Sequence, residues 1–238
     1  MSPTVVLIHG AFADASGWGG VISRLTAAGH AVHAPANPLR SVSGDAAYIR
    51  SFVSTIEGPV VLVGHSYGGA VITNAAVGAD NVKALVYIAA FALEEGEAAG
   101  PATALGSDGP PPDLTQVIVV RPFPDAGEGN ADAYLDPAIF PQTFCQDLPA
   151  EEGAIMAVSQ RPAALATLGE PSGPPAWRTL PSWYLVASQD RVIPPAAERA
   201  MAARAGSTTV EIDSSHVAMI SHPDEVADLI KQAIASVG

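Results

Sequence analysis

Val60-Val61-Leu62-Val63-Gly64-His65-Ser66-Tyr67-Gly68-Gly69-Ala70-Val71-Ile72 is the stretch from which the rest of this chain can be read. Four consecutive branched apolar residues with no polar residue between them describe a strand covered on both faces. A helix is expected from residue 66 onward, and the turn joining strand to helix has the pattern Gly-x-Ser-x-Gly. This is the pattern of a nucleophile elbow. The serine takes strained backbone angles, and Gly64 and Gly68 let strand and helix approach closely enough for the hydroxyl to stand exposed. The first amides of the helix then face any negative charge that develops there. A glycine-bearing turn with an idle serine would use the same letters, but the setting of strand before and helix after favours the reactive turn. His65 adjoins the serine in sequence, yet neighbouring side chains diverge at such a turn, so His65 is expected to be packed.

Outward from this stretch, short apolar runs recur at 4–8, 31–34, 82–88, 182–187 and 208–212. Helix-like segments lie between them at about 16–28, 44–57, 66–79, 194–205 and 222–236. The last opens Ser221-His222-Pro223-Asp224-Glu225, with proline in the first turn and acids where the helix dipole favours them. Strands that are continuously apolar and alternate with helices give a doubly wound, mostly parallel α/β sheet, in which ligands gather beyond the carboxyl ends of the strands. The alternation stops at about 92–180, a segment rich in Pro, Gly and Ala that includes Gly109-Pro110-Pro111-Pro112 and Pro171-Ser172-Gly173-Pro174-Pro175. It is too long for a plain loop, and Phe123, Tyr134, Phe140, Phe144 and Trp177 carry more apolar bulk than a disordered linker would. The expected organisation is a core of residues 1–91 and 181–238 with an inserted lid, or cap, over 92–180. Within the lid the letters suggest a strand at 117–120 and short helices at 130–136, 137–147 and 150–168.

A chain of 238 residues with 48% hydrophobic content can bury one substantial core. The formal net charge of -13 opposes contact with a phosphate backbone, so nucleic acid is not an expected partner. No stretch reaches the roughly 20 uninterrupted apolar residues of a membrane span, and the scattered basic residues make no lipid-binding run. One cysteine, Cys145, excludes an internal disulfide and a cysteine metal site. Met1-Ser2-Pro3 leads directly into Thr4-Val5-Val6-Leu7-Ile8, with no charged leader, which places the chain in the cytoplasm as an expectation. Nothing in the letters opposes or requires a homo-oligomer.

A serine hydroxyl needs a base to take its proton, and the base needs an acid to hold its tautomer. Following the serine in chain order, the acid comes first. Asp190 ends the run Trp183 to Ala187 and precedes a helix opened by Pro194-Pro195, which places a carboxylate at the ligand-facing edge. A helix cap or a partner for Arg191 is the alternative role. His216 lies in the polar loop Asp213-Ser214-Ser215-His216 after the last strand, and is the expected base. His222 sits at a helix entrance, where capping explains it; Asp213 lacks a strand-end position; His30 and His33 flank an early strand and read as structural. The oxyanion donors are expected from the loop His9-Gly10-Ala11-Phe12, as the amide of Ala11 or Phe12, together with the amide of Tyr67. Phe12 and Trp18 are expected to bind substrate, with Arg121, Arg161 or Arg178 as candidates to face the same pocket. The six histidines make no ligand-spaced cluster and no lysine follows the glycine turn, so neither a metal nor a cofactor is expected.

On these residues the chain resembles the α/β-hydrolase superfamily over nearly its whole length. Within it, Val6-Leu7-Ile8-His9-Gly10-Ala11, Trp18, Gly64 to Gly69 and Ser215-His216-Val217-Ala218-Met219 with Pro223 are similar to bacterial esterases allied to plant methyl esterases and hydroxynitrile lyases. The resemblance implies a six-stranded core without a leading hairpin and cleavage of a small-molecule ester through an acyl-enzyme. The lyases of that branch carry a lysine directly after the histidine where this chain has Val217, so esterase outranks lyase. A carboxylate nucleophile, as in haloalkane dehalogenases, is ruled against by Ser66. A slow-turnover small-molecule binder on the same fold stays open.

Overall fold

The computed structural model describes residues 2–107, 109 and 116–237; Pro110 to Pro112 of the proline-rich segment lie outside them. In chain order the elements are β1 (Thr4–Ile8), α1 (Gly19–Ala27), β2 (Val32–His33), α2 (Val42–Val53), β3 (Val60–Ser66), α3 (Tyr67–Ala75), β4 (Val82–Ala90) and α4 (Ala99–Ala102). There follow β5 (Ile118–Arg121), β6 (Asp132–Leu135), α5 (Phe140–Phe144), α6 (Ala150–Val158), β7 (Ala163–Ala164) and α7 (Ala166–Gly169). The chain closes with β8 (Ser182–Ala187), α8 (Pro195–Arg204), β9 (Thr208–Ile212), α9 (Ala218–Ser221) and α10 (Pro223–Val237).

The six apolar runs form one parallel sheet in the order β2-β1-β3-β4-β8-β9. All seven residues of β3 are buried, as continuous hydrophobicity on both strand faces requires. α1 and α10 pack together on one face, while α2 and α3 pair on the other. The strand order reverses direction between β1 and β3, so the carboxyl ends of these two strands bound the crevice where a doubly wound sheet receives ligands. Register holds Ile8 beside Gly64, which brings the loop after β1 against the turn after β3.

That turn is crowded with backbone. A Cβ on Gly64 would lie 2.6 Å from the Gly68 carbonyl oxygen and 2.7 Å from the Gly69 nitrogen, and one on Gly68 would collide with the Ile8 carbonyl oxygen. Main chain cannot rotate out of the way as a side chain can. Gly64→Ala is therefore expected to destabilise the fold by about 1–3 kcal/mol, the usual cost of overpacking, read as a lower urea midpoint. An unchanged midpoint would mean that close approach is not what shapes this turn.

Between β4 and β8, which are neighbours in the sheet, the chain leaves to build a separate antiparallel sheet in the order β5-β6-β7. The strand expected at 117–120 is present as β5. The helix expected at 130–136 is instead the strand β6: Asp132, Ala133, Tyr134 and Leu135 alternate between half-buried and buried, a period of two that a four-residue window hides. The expected helix over 150–168 ends at Val158 and gives way to β7 and α7. Arg40 joins the two sheets through its ion pair with Asp132 at 2.7 Å, and Ala164 donates its amide to the Leu39 carbonyl. No helix among the described residues is long and apolar enough to cross a membrane.

Candidate active site

Ser66 closes β3 and stands immediately before α3 with φ 52° and ψ -125°. A serine in this region costs of order 1–3 kcal/mol, which the packed glycine backbone on either side must sustain. Its neighbour in the sheet is bent as well. The β3–β4 register slips so that Ser66 faces Ala90 rather than Ala89, and Ala89 has φ 43°. This bulge frees polar groups that Tyr184 satisfies, accepting from the Ala90 amide at 3.3 Å and donating to the Ala90 carbonyl. Tyr67, the first residue of α3, is buried and donates its hydroxyl to Asp45 Oδ2 at 2.8 Å. Burial, then the nearby Asp45 charge, raises the Tyr67 hydroxyl far above its ordinary pKa, so it remains a donor.

His216 and Asp190 meet at the same edge. The imidazole Nδ1 donates to Asp190 Oδ2 at 2.5 Å, with both side chains fully buried. Asp190 Oδ1 accepts from the amides of Val192 at 2.6 Å and Ile193 at 2.9 Å. The carboxylate thus caps its own turn and holds the histidine at once. With Nδ1 as donor, Nε2 carries the lone pair; it is buried with no hydrogen-bond partner among the described residues, so it does not hold the Ser66 hydroxyl in this structure. Hydrogen bonds of this kind commonly close only when substrate is present. The ring is packed between Phe144, 4.9 Å away centroid to centroid, and His65, 4.7 Å away. His65 Nε2 donates to the His216 carbonyl at 2.9 Å. Burial, then the adjacent His216, keeps His65 neutral with a pKa well below its usual value.

The loop after β1 completes the rim. The Asn37 amide donates to His9 Nε2 at 2.9 Å, so the proton of this imidazole is on Nδ1, which donates to the Gly10 carbonyl at 2.9 Å. The Asn37 side chain returns a bond to the His9 carbonyl at 3.1 Å. The turn that follows carries Phe12 at φ 63°, and among the described residues neither the Ala11 nor the Phe12 amide donates to a backbone carbonyl. A Cβ on Gly10 would lie 2.6 Å from Ser66 Cβ and 3.2 Å from its Oγ. Only glycine lets the loop lie this close to the serine. A cavity of about 110 Å³ opens at this point, lined by Ala11, Phe12, Ser66, Tyr67, Phe91, Leu135 and Leu168. Burial, then Asp147 and Glu152, pushes the Cys145 thiol up to about 11, so it stays protonated.

Residues 5–229 match the model of a family described as the alpha/beta hydrolase family. The chain belongs to that family. Across 98% of its length it is 26% identical to the alpha/beta hydrolase nvfD of Aspergillus novofumigatus, of which 97% is covered. Over 39% of its length it is 36% identical to a carbendazim hydrolyzing esterase of a Nocardioides species, covering 43% of that protein. Among solved structures it is similar to a pyrethroid hydrolase from Sphingobium faniae, with a TM-score of 0.79, 23% identity and coverage of 99% and 98% of the two chains. It is also similar to polyneuridine aldehyde esterase, with a TM-score of 0.80, 19% identity and coverage of 100% and 99%.

Of the residues singled out from this α/β-hydrolase's sequence, Ser66, Tyr67, Ala11 and Phe12 share the cavity, and Asp190 and His216 pair beside it. Trp18 is fully buried, edge-on to His65 at 6.4 Å, and is not among the residues that line this cavity. A large ring beside a small-residue turn can be covered by the core, and here Trp18 belongs to the buried apolar cluster. Nor do Arg121, Arg161 or Arg178 line the cavity; Arg191 does, with one guanidinium nitrogen donating to the Gln142 carbonyl at 2.8 Å. Three more residues escaped the sequence reading. Asp147 Oδ2 accepts from the Ser215 amide at 2.8 Å and Gln146 donates to the Gln189 carbonyl at 2.7 Å, so the segment around α5 braces both the histidine loop and the aspartate loop. Glu198 is the third, buried in the first turn of α8.

Proposed function

We propose that this chain hydrolyses small carboxylic esters through an acyl-enzyme on Ser66, with His216 as base, Asp190 as orienting acid and residues 92–180 as the lid over the site. The observation that carries the reading is the pairing of a strained serine at the end of β3 with a buried Nδ1-to-carboxylate bond that leaves the far nitrogen of His216 bare. In that tautomer Nε2 accepts the Ser66 proton as the hydroxyl attacks the ester carbonyl. His216 then protonates the departing alcohol, and afterwards takes a proton from the water that frees the enzyme. Asp190 stabilises the imidazolium in between. The tetrahedral oxyanion is held by the Tyr67 amide and by the amide of Ala11 or Phe12, each such donor contributing about 3 kcal/mol to the transition state. No step draws on a metal or cofactor. The apolar wall of Phe12, Phe91, Leu135 and Leu168 suits a short apolar acyl or alkyl group, and relatives named as esterases support ester as the bond class.

The test is a panel of methyl, aryl and thioester substrates run beside a cyanohydrin, with covalent labelling by a serine-directed phosphonate. A burst of alcohol release from an aryl ester and a label on the Ser66 peptide are expected. Labelling without turnover of any ester would instead make the protein a small-molecule binder.

A further inference from the structure

Glu198 is 0% exposed, on the first turn of α8, behind the loop that carries Asp190. Its Oε2 accepts from the Ala187 amide at 3.0 Å, at the end of β8. Its Oε1 is buried and finds no donor among the described residues. A buried carboxylate oxygen without a donor is costly; a carboxylic acid oxygen bearing its own proton is itself a donor and needs only an acceptor. Asp190 is such an acceptor. The groups facing Glu198 are the Asp190 carboxylate from the loop after β8, the Tyr184 hydroxyl from β8 and Arg199 from its own helix. Arg199 is bound in a bidentate pair with Glu211 at 2.9 and 2.6 Å. None of the ion pairs among the described residues includes Glu198.

We propose that Glu198 is a positioning residue for the Asp190–His216 pair, donating a proton of its own to the Asp190 carboxylate. Burial, then the Asp190 charge and the hydrogen bond shared with it, holds the Glu198 carboxyl well above the usual carboxylate range, in the protonated form that can donate. The consequence for chemistry is rotational. Asp190 Oδ1 is pinned by two amides and Oδ2 carries the histidine; a further donor stops the carboxylate plane from turning when the imidazole becomes charged. This inference rests on the acyl-enzyme reading for its kinetic part only.

The experiment compares Glu198→Gln and Glu198→Leu in the full chain. A glutamine amide reproduces both roles, its oxygen accepting from Ala187 and its nitrogen donating to Asp190. Glu198→Gln is expected to keep kcat within about twofold of the unaltered enzyme with a superimposable pH profile, while Glu198→Leu loses about tenfold in kcat with KM within about twofold. Wild-type kcat in the leucine variant, or a glutamine variant as impaired as the leucine one, would overturn the proposal. A readout independent of turnover covers a leucine variant that fails to fold. A carboxyl protonated in the fold but ionised in the unfolded chain makes folding take up a proton, so stability falls as pH rises above the unfolded value of about 4.3. The urea midpoint of Glu198→Gln should therefore gain on the unaltered protein between pH 5 and pH 8; a constant difference would sink the donor role. Should Ser66→Ala leave ester turnover intact, the acyl-enzyme reading falls while this stability comparison still judges Glu198.

Discussion

Ser66→Ala is expected to lower kcat on a responsive aryl ester by about a millionfold, the scale seen when the nucleophile of a serine triad is removed, with the alcohol burst abolished. KM should stay within severalfold, because the cavity walls that bind the ester are untouched. The loss is this large because nothing nearby can replace the hydroxyl. Cys145 is buried and held as a thiol, and His65 is packed away from the cavity with its Nε2 bound to a carbonyl. The fold should survive, since alanine keeps the Cβ that already fits against Gly10 and meets the same φ of 52° that serine accepts. The measurement is steady-state and burst kinetics on purified protein whose circular dichroism matches the parent. Turnover within tenfold of the parent would remove Ser66 from the chemistry.

Asp190→Asn is expected to lower kcat by about 10⁴-fold, and the reason lies in the direction of one hydrogen bond. Asp190 Oδ1 would be matched by the asparagine oxygen, which can still accept from the Val192 and Ile193 amides. The amide nitrogen then replaces Oδ2 and presents hydrogens to His216 Nδ1. That nitrogen must become the acceptor, so the imidazole proton moves to Nε2, and Nε2 can no longer receive a proton from Ser66. Geometry is kept and the tautomer is wrong. KM should therefore be nearly unchanged while kcat collapses, a split visible in Michaelis kinetics. Equal losses in kcat and KM would point to a disrupted site instead of a reversed proton, and full activity would free Asp190 from any part in the reaction.

Both expectations start from letters that were readable before any coordinates. Gly-x-Ser-x-Gly between an apolar strand and a helix is legible because strained turns admit few residues, and the six strands are legible because a strand covered on both faces has no room for polar residues. The placement of serine, aspartate and histidine, in that chain order, at the ends of β3, β8 and β9 then follows from right-handed crossovers that put every strand's carboxyl end at one edge. The inserted segment was less legible. Its strand β6 is four residues long, too short for its period of two to outweigh the helix-like composition around it, and it becomes a strand because β5 and β7 offer hydrogen bonds from either side.

Local chain chemistry thus determined the sheet, the elbow, and the residue types at each strand end, since burial pattern and backbone strain act over a few neighbouring residues. Tertiary packing alone decided the partners. Trp18 became core instead of cavity wall, the cation at the cavity became Arg191, and His9 found Asn37 28 positions away. A glutamate in a helix's first turn reads as a solvated acid that suits the dipole; only the fold turns Glu198 inward, against Asp190 and away from water. The physical reason is that a side chain's charge and function depend on the groups within a few ångströms of it, and those groups come from remote parts of the chain.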